Sequence, residues 1–290
     1  MYERILVPTD GSEAALTAAE CAAALARRFG AAVDVVHVPE QRERLFAPSE
    51  AEATAAAAEH VEETRAVVTE AGIEPTTAIL DEPDQIHEVL ARYVDDNDVD
   101  CIVMGTHGRT GFDRYVLGSV TERTIRTASV PVVTVHEETA MPAEAAFERL
   151  LVPTDGSESA MAAAEHAATF ASAMDADIHV INAVDTTAAP GGVESAYITD
   201  ELENAGEQAI ERLGAHIESS GGTVTKSSVV HGSPYRAIVE YAEENDVDCI
   251  VMGTHGRTGL DRYLLGSVTE RVVRLASVPV VTVHAPDQPV

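Results

Sequence analysis

Short apolar runs alternate with longer, Ala-rich stretches of helical period along the whole chain. Arg4–Val7 is an apolar run stopped by Pro8, which predicts a strand. Ser12 then opens an Ala-rich stretch that Gly30 closes, a helix with serine as its N-cap. Val33–Val38 is β-branched and predicts a second strand. A long Ala/Glu helix follows from Ser49 to Ala71, ended by Gly72. Thr76–Leu80 predicts a weaker strand, Asp84–Asp95 a helix, Val99–Met104 a buried strand, Ser119–Ala128 a helix and Val130–Val135 a last strand. The second half follows the same order. Strands alternating with helices predict a parallel sheet with helices on both faces. In such a sheet ligands sit beyond the carboxyl ends of the strands, where the strand order reverses.

The order repeats because the sequence repeats. Leu6–Glu13 recurs letter for letter as Leu151–Glu158, and Asn97–His136 recurs as Asn245–His284. Only five pairs differ in that second stretch: Phe112/Leu260, Val116/Leu264, Thr124/Val272, Ile125/Val273 and Thr127/Leu275. A repeat this long is a duplicated domain, not a solenoid unit. The expected domains are residues 1–138 and 147–290, with a linker at about 139–146. The length of 290 residues fits two domains of ordinary size.

Charge narrows the function. Nineteen basic and 49 acidic residues leave a net charge of −30, which disfavours a nucleic-acid binder and attraction to anionic lipid. Lys226 is the only lysine. A very acidic, Ala-rich, nearly Lys-free chain resembles the proteins of salt-in halophiles; at molar salt a Debye length of about 3 Å screens the self-repulsion. No apolar run is long enough to span a membrane, and Ile5-Leu6-Val7 is too short for a signal peptide. Cys21, Cys101 and Cys249 form neither a disulfide framework nor a close metal-ligand set, so a reducing cytoplasm is expected.

Candidate chemistry lies after the fourth strand of each half. Gly105-Thr106-His107-Gly108-Arg109-Thr110-Gly111 leads to Gly118-Ser119, and Gly253-Thr254-His255-Gly256-Arg257-Thr258-Gly259 leads to Gly266-Ser267. The skeleton is Gly-x2-Gly-x9-Gly-Ser. Glycines let backbone N–H groups approach an anion, and the following helix points its positive end at the same place. The plainer reading is a turn, with Ser119–Glu122 and Ser267–Glu270 as capping boxes. The loop occurs twice nearly unchanged while the connections after the second strands have diverged, which favours a ligand loop.

The Pro-Thr-Asp after the first strand, together with this loop, resembles the universal stress protein family in its ATP-binding branch. The resemblance covers both halves. It implies two doubly wound, five-stranded parallel-sheet domains, similar to the adenine-nucleotide α-hydrolases, with strand order 3-2-1-4-5. Dimerisation through the last strand is implied too, here within the chain as a pseudo-twofold pair, with a further homo-oligomer left open. The implied ligand is ATP, alone or with Mg²⁺ or Mn²⁺. Its adenosine contacts fall on Pro8, Asp10 and Val38, and its ribose and phosphate contacts on Met104, Gly105, His107, Gly108, Gly118, Ser119 and Val120. In the second half they fall on Pro153, Asp155, Ala183, Met252, Gly253, His255, Gly256, Gly266, Ser267 and Val268. Two departures stand out: Val38 is matched by Ala183, and Gly232-Ser233-Pro234 is matched by Asp84-Gln85-Ile86.

Each of these residues has a plainer reading. Asp10 and Asp155 either meet the nucleotide or cap the next helix as an Asp-Gly turn. His107 and His255 either touch phosphate, act as a base, or are ordinary loop histidines. Arg109 and Arg257, and Arg42 and Arg44 after the second strand, either reach phosphate or are solvated. Cys101 and Cys249 read as small core residues. There is no Gly-x4-Gly-Lys-Ser/Thr loop and no evident Mg²⁺ carboxylate pair. The expected function is binding and regulation, with little turnover and no catalytic residue. The alternatives are an enzyme of the adenine-nucleotide-binding α/β group that acts on ATP, or an interaction module that carries no ligand.

Overall fold

The computed structural model describes residues 1–40, 49–108, 117–141, 147–185, 193–256 and 265–285. It divides into two compact units, Met1–Ala145 and Ala146–Val290. Arg42, Arg44, Arg109, Arg257, the pairs Phe112/Leu260 and Val116/Leu264, and residues 188–192 lie outside the described residues.

The first unit runs β1 (Arg4–Pro8), α1 (Glu13–Phe29), β2 (Ala32–His37), α2 (Glu50–Glu70), β3 (Thr76–Ile79), α3 (Ile86–Asp96), β4 (Cys101–Gly105), α4 (Ser119–Thr127) and β5 (Val132–Val135). All its pairings are parallel, in the order β3-β2-β1-β4-β5. The second unit runs β6 (Arg149–Pro153), α5 (Glu158–Met174), β7 (Asp177–Val184), α6 (Val193–Ser219), β8 (Val224–His231), α7 (Pro234–Glu244), β9 (Cys249–Gly253), α8 (Ser267–Leu275) and β10 (Val280–Val283). Its order is β8-β7-β6-β9-β10, again all parallel. Both sheets therefore have the expected order 3-2-1-4-5, and the order reverses between the first and fourth strands.

The central strands are buried on both faces, as a covered parallel sheet requires: Ile5, Leu6 and Val7 are inaccessible, as are Leu150, Leu151 and Val152. The first helix of each unit presents alanine to the sheet, with Ala14, Ala18 and Ala22 on α1 and Ala160, Ala163 and Ala167 on α5. Small side chains let the helix sit close. A Cβ on Gly105 would stand 2.8 Å from Ala14 Cβ, and one on Gly253 2.4 Å from Ser159 Oγ. Glycine at the end of β4 and β9 is thus demanded by helix packing.

Helix starts and stops follow local chemistry. Ser12 and Ser157 cap α1 and α5, accepting from Ala15 N and Ala160 N. Gly30 ends α1 in the left-handed region at φ 70°, and its counterpart Asp175 does the same at φ 60°. One long-range device was invisible in the sequence pattern. The Asp100 carboxylate accepts from Glu3 N and Arg4 N, and Asp248 accepts from Glu148 N and Arg149 N. Each aspartate moors the start of the first strand beside the fourth.

Candidate functional site

In the first unit a cleft with about 870 Å³ of atom-free space opens beyond the ends of β1, β2 and β4, its mouth open to solvent. All ten residues singled out in this half line it. Pro8 ends β1, and the turn that follows is tied down by Thr9 N donating to Val36 O at 2.9 Å. Asp10 then folds its side chain back: Oδ1 accepts from Ser12 N at 3.1 Å, while Oδ2 lies against Gly108, where a Cβ would stand only 2.2 Å away. The helix cap is Ser12, so Asp10 is not spent on capping.

Val38 and Met104 supply apolar wall, and both are buried. Behind Val38, the His37 Nδ1 lies 2.7 Å from Thr9 O. A carbonyl only accepts, so this nitrogen carries the proton. His60 packs tilted against His37 at 5.5 Å between ring centroids and lies over Gly11. Burial and the neighbouring His37 push the His60 imidazole below its ordinary pKa, against the pull of Asp10.

At the other end of the cleft the loop is fastened to the start of α4. Thr121 Oγ1 donates to Gly105 O at 2.8 Å, and Gly118 N donates to Thr106 O at 2.8 Å. Gly118 is the N-cap, with no side-chain cap bond, and Ser119 is the first helical residue. The capping box read at Ser119–Glu122 does not form, and the same correction applies to Ser267–Glu270, where Gly266 is the cap. The reason is the loop itself, which uses the Gly118 and Gly266 N–H groups and positions the backbone one residue earlier. The serine hydroxyl is therefore left out of capping. The first N–H groups of the helix lack intrahelical partners and carry its positive end. Ser119 and Val120 line the cleft with them.

The second unit repeats this geometry. Pro153 ends β6, and Asp155 Oδ1 accepts from Ser157 N at 2.9 Å, with Oδ2 against Gly256. Met252 and Gly253 close β9. Thr269 Oγ1 donates to Gly253 O and Gly266 N to Thr254 O, each at 2.9 Å, which sets Ser267 and Val268 in the first turn of α8. His255 N donates to Ser159 Oγ at 3.4 Å. Ala183, in β7, is half-buried where Val38 is buried. Next to it Asn182 Nδ2 donates to Thr154 O at 2.7 Å, the same carbonyl position that His37 serves.

Other residues at the site were not among those read from the sequence. Glu40 and Ile86 line the first cleft. In both units a threonine hydroxyl stands between two imidazoles. Thr106 Oγ1 is 3.2 Å from His107 Nδ1 and 2.7 Å from His136 Nδ1. Thr254 Oγ1 is 2.8 Å from His255 Nδ1 and 3.3 Å from His284 Nδ1. His136 and His284 close the near-identical stretch of the repeat, which was the available signal for them. The cysteines are buried, free thiols, and burial pushes Cys21 up to about 12, the character of inert core residues.

Comparison with known proteins bears on the family and the fold. The family model described as "Universal stress protein family" matches residues 1–136 and 146–284. The chain belongs to the universal stress protein family. It is 38% identical over 143 residues to a universal stress protein of Methanocaldococcus jannaschii, covering 48% of this chain and 84% of that relative. It is 31% identical over 188 residues to a universal stress protein of Mycobacterium tuberculosis, covering 64% of this chain and 62% of the relative's length. The crystal structure of a universal stress protein from Archaeoglobus fulgidus covers 98% of this chain and 97% of its own, with a TM-score of 0.71 at 24% identity, a likeness of fold. The expected family and α/β fold are both borne out, as two universal stress protein domains in tandem. Among the described residues no helix is long and apolar enough to cross a membrane.

Proposed function

We propose that this universal stress protein binds an adenine nucleotide, ATP, at two like sites, one in each unit, and acts by holding it in a regulatory role. One observation carries the reading. All ten first-unit candidates converge on a single cleft at the reversal of strand order, with a helix N-terminus and an uncommitted serine at one end and an apolar wall at the other. The base end is built from Pro8, Asp10 and Val38, with Met104 leading into the loop. The phosphate end is built from Gly105, His107, Gly108, Gly118, Ser119 and Val120. Pro153, Asp155, Ala183, Met252, Gly253, His255, Gly256, Gly266, Ser267 and Val268 have the same duties in the second unit.

Asp10, Glu40 and Ser119 offer hard oxygen donors of the kind that Mg²⁺ or Mn²⁺ takes alongside phosphate. The ion would neutralise phosphate charge; the chain's own part is to orient the phosphates on the α4 and α8 N-termini. The cysteines, kept as thiols, support a cytoplasmic setting.

Mass spectrometry of small molecules released from the purified protein, followed by calorimetric titration with ATP, tests the reading. Adenine nucleotide and a stoichiometry of two are expected. A protein that carries no nucleotide and takes up none would overturn it. Sustained phosphate release at about 1 per second or faster would turn the assignment toward an enzyme.

A further inference from the structure

The threonine between two histidines at each phosphate loop has a consequence for charge. Thr106 and Thr254 are buried, at 1% and 0% exposure. A hydroxyl has one hydrogen, so it donates to only one of the two ring nitrogens beside it. The other Nδ1 must carry its own proton and donate to Oγ1. The Nε2 of that imidazole then carries no proton. A proton added there makes an imidazolium and breaks neither bond to the threonine. A second proton, on the remaining Nδ1, would displace the hydroxyl's own donation. Each pair therefore has one position where an added proton leaves both bonds to the threonine in place and one where it does not.

We propose that His107–Thr106–His136 and His255–Thr254–His284 are the protonatable cations of the two phosphate sites, and that a bound terminal phosphate draws one proton onto each. The proposal rests on the nucleotide reading above and deepens it. The cleft would gain its positive charge from solvent when the anion arrives. Lys226, the single lysine, is engaged elsewhere, with Asn245 and the Tyr241 ring. His107 lines the cleft, whereas His136, at the end of β5, does not. The titratable groups that surrounding elements bring to this end are Asp10 after β1, Glu13 at the start of α1, Glu40 after β2, Glu122 in the first turn of α4 and Glu137 after β5. In the second unit they are Asp155, Glu158, Asp185 and Glu270. His37 and His60 stand beside Asp10 at the inner end of the first cleft; the other groups are acids, whose charge attracts an added proton.

Two measurements on the full chain test this. In the ligand-free protein, nitrogen-detected NMR of the histidine rings should show one of His107 and His136 protonated at Nδ1 and the other accepting there. Thr106→Val, which spares the backbone bonds of Thr106, should remove that fixed difference of tautomer. Calorimetry with ATP in buffers of different ionisation enthalpy should show uptake approaching one proton per site near pH 7, with Kd tightening up to tenfold per pH unit from pH 8 to 6.5. Adenosine should show no uptake. The phosphate of the ligand titrates near pH 6 itself, so the Thr106→Val, Thr254→Val double variant is the reference. Equal proton counts in that variant and the parent would overturn the proposal while leaving nucleotide binding intact. No ATP binding at any pH from 6 to 8 would overturn both. Should the valine variants fail to fold, His136→Gln with His284→Gln must lower the proton count, and Thr106→Ser must preserve it. Either failure sinks the idea.

Discussion

The two units agree closely at the proposed phosphate end and part company at the proposed base end. The hydrogen bonds that fasten the loop, set the helix start and hold the aspartate to the serine N–H recur to within about 0.2 Å. Near the end of the second strand one side-chain contact is kept. His37 and Asn182 both donate at 2.7 Å to the carbonyl that follows the first strand, and the volume behind them is reset. His37 is backed by the His60 ring, whereas Asn182 Oδ1 lies where a Cβ on Gly206 would stand 2.5 Å away, so the helix passes with no side chain at all. A buried polar contact constrains the strand residue to a donor of the right reach, while packing behind it is free to be solved twice.

The comparison is most sharply tested by charge. Ser119→Asp places an anion in the first turn of α4, which the helix favours and a phosphate does not. ATP stoichiometry should fall from two to one, with affinity at the altered site at least 100-fold weaker and the melting temperature unchanged. Ser267→Asp should do the same to the other site. If either variant abolishes all binding, the sites are not independent.

Acid should separate the units next. Burial pushes His166 down to about 4, whereas the unfolded chain titrates near 6.5. Its folded pKa is depressed, so its contribution is complete above pH 6.5 and is lost progressively as pH falls toward 4. The loss approaches about 3 kcal/mol. The residue at the same place in the first unit is Cys21, a thiol that stays neutral there. Melting across pH 7 to 4 should show the second unit weakening more, and His166→Cys should remove most of that excess. His60 and His87 in the first unit, and His179 in the second, are pushed down as well and soften the chain in the same direction. An unchanged pH profile in His166→Cys would refute the assignment.

Two smaller changes exchange residues between the units. Val38→Ala should weaken the first site by up to about tenfold, from the loss of roughly 1.5 kcal/mol of apolar contact, and leave the second site unchanged. Thr124→Val should stabilise the first unit by about 1 kcal/mol. Thr124 is buried, and its hydroxyl finds no partner among the described residues, whereas the second unit has Val272 at that position. A lower melting temperature in Thr124→Val would mean that the hydroxyl is in use.

Elements were legible wherever one local period dominated. The Ala-rich helix after Ser12 and the β-branched Val33–Val38 run were read from neighbours in the chain, and α1 and β2 formed there. The reversal of strand order was not readable from period, because pairing β1 with β4 joins residues nearly a hundred positions apart; it came from the family likeness. The helix begins at Ser119 as expected, but its cap is Gly118 and not the serine of the capping-box reading, since that box is a local pattern and the loop's bond to Thr106 O overrides it. His136 was overlooked for a similar reason: thirty residues separate it from Thr106, and only the fold brings its ring to that hydroxyl.

The glycines of the loop bear on how this protein should be probed. A side chain at Gly105 runs into α1, and one at Gly108 into Asp10, before any ligand is involved. At Gly118 it would press on Thr106 O at 3.2 Å. A mutational scan that scored abundance alone would rank these positions among the most sensitive and credit them to the core. A scan that scored function alone would credit the same positions to the ligand. Only Ser119 and Ser267, whose hydroxyls cap nothing, should score high in the second screen and low in the first.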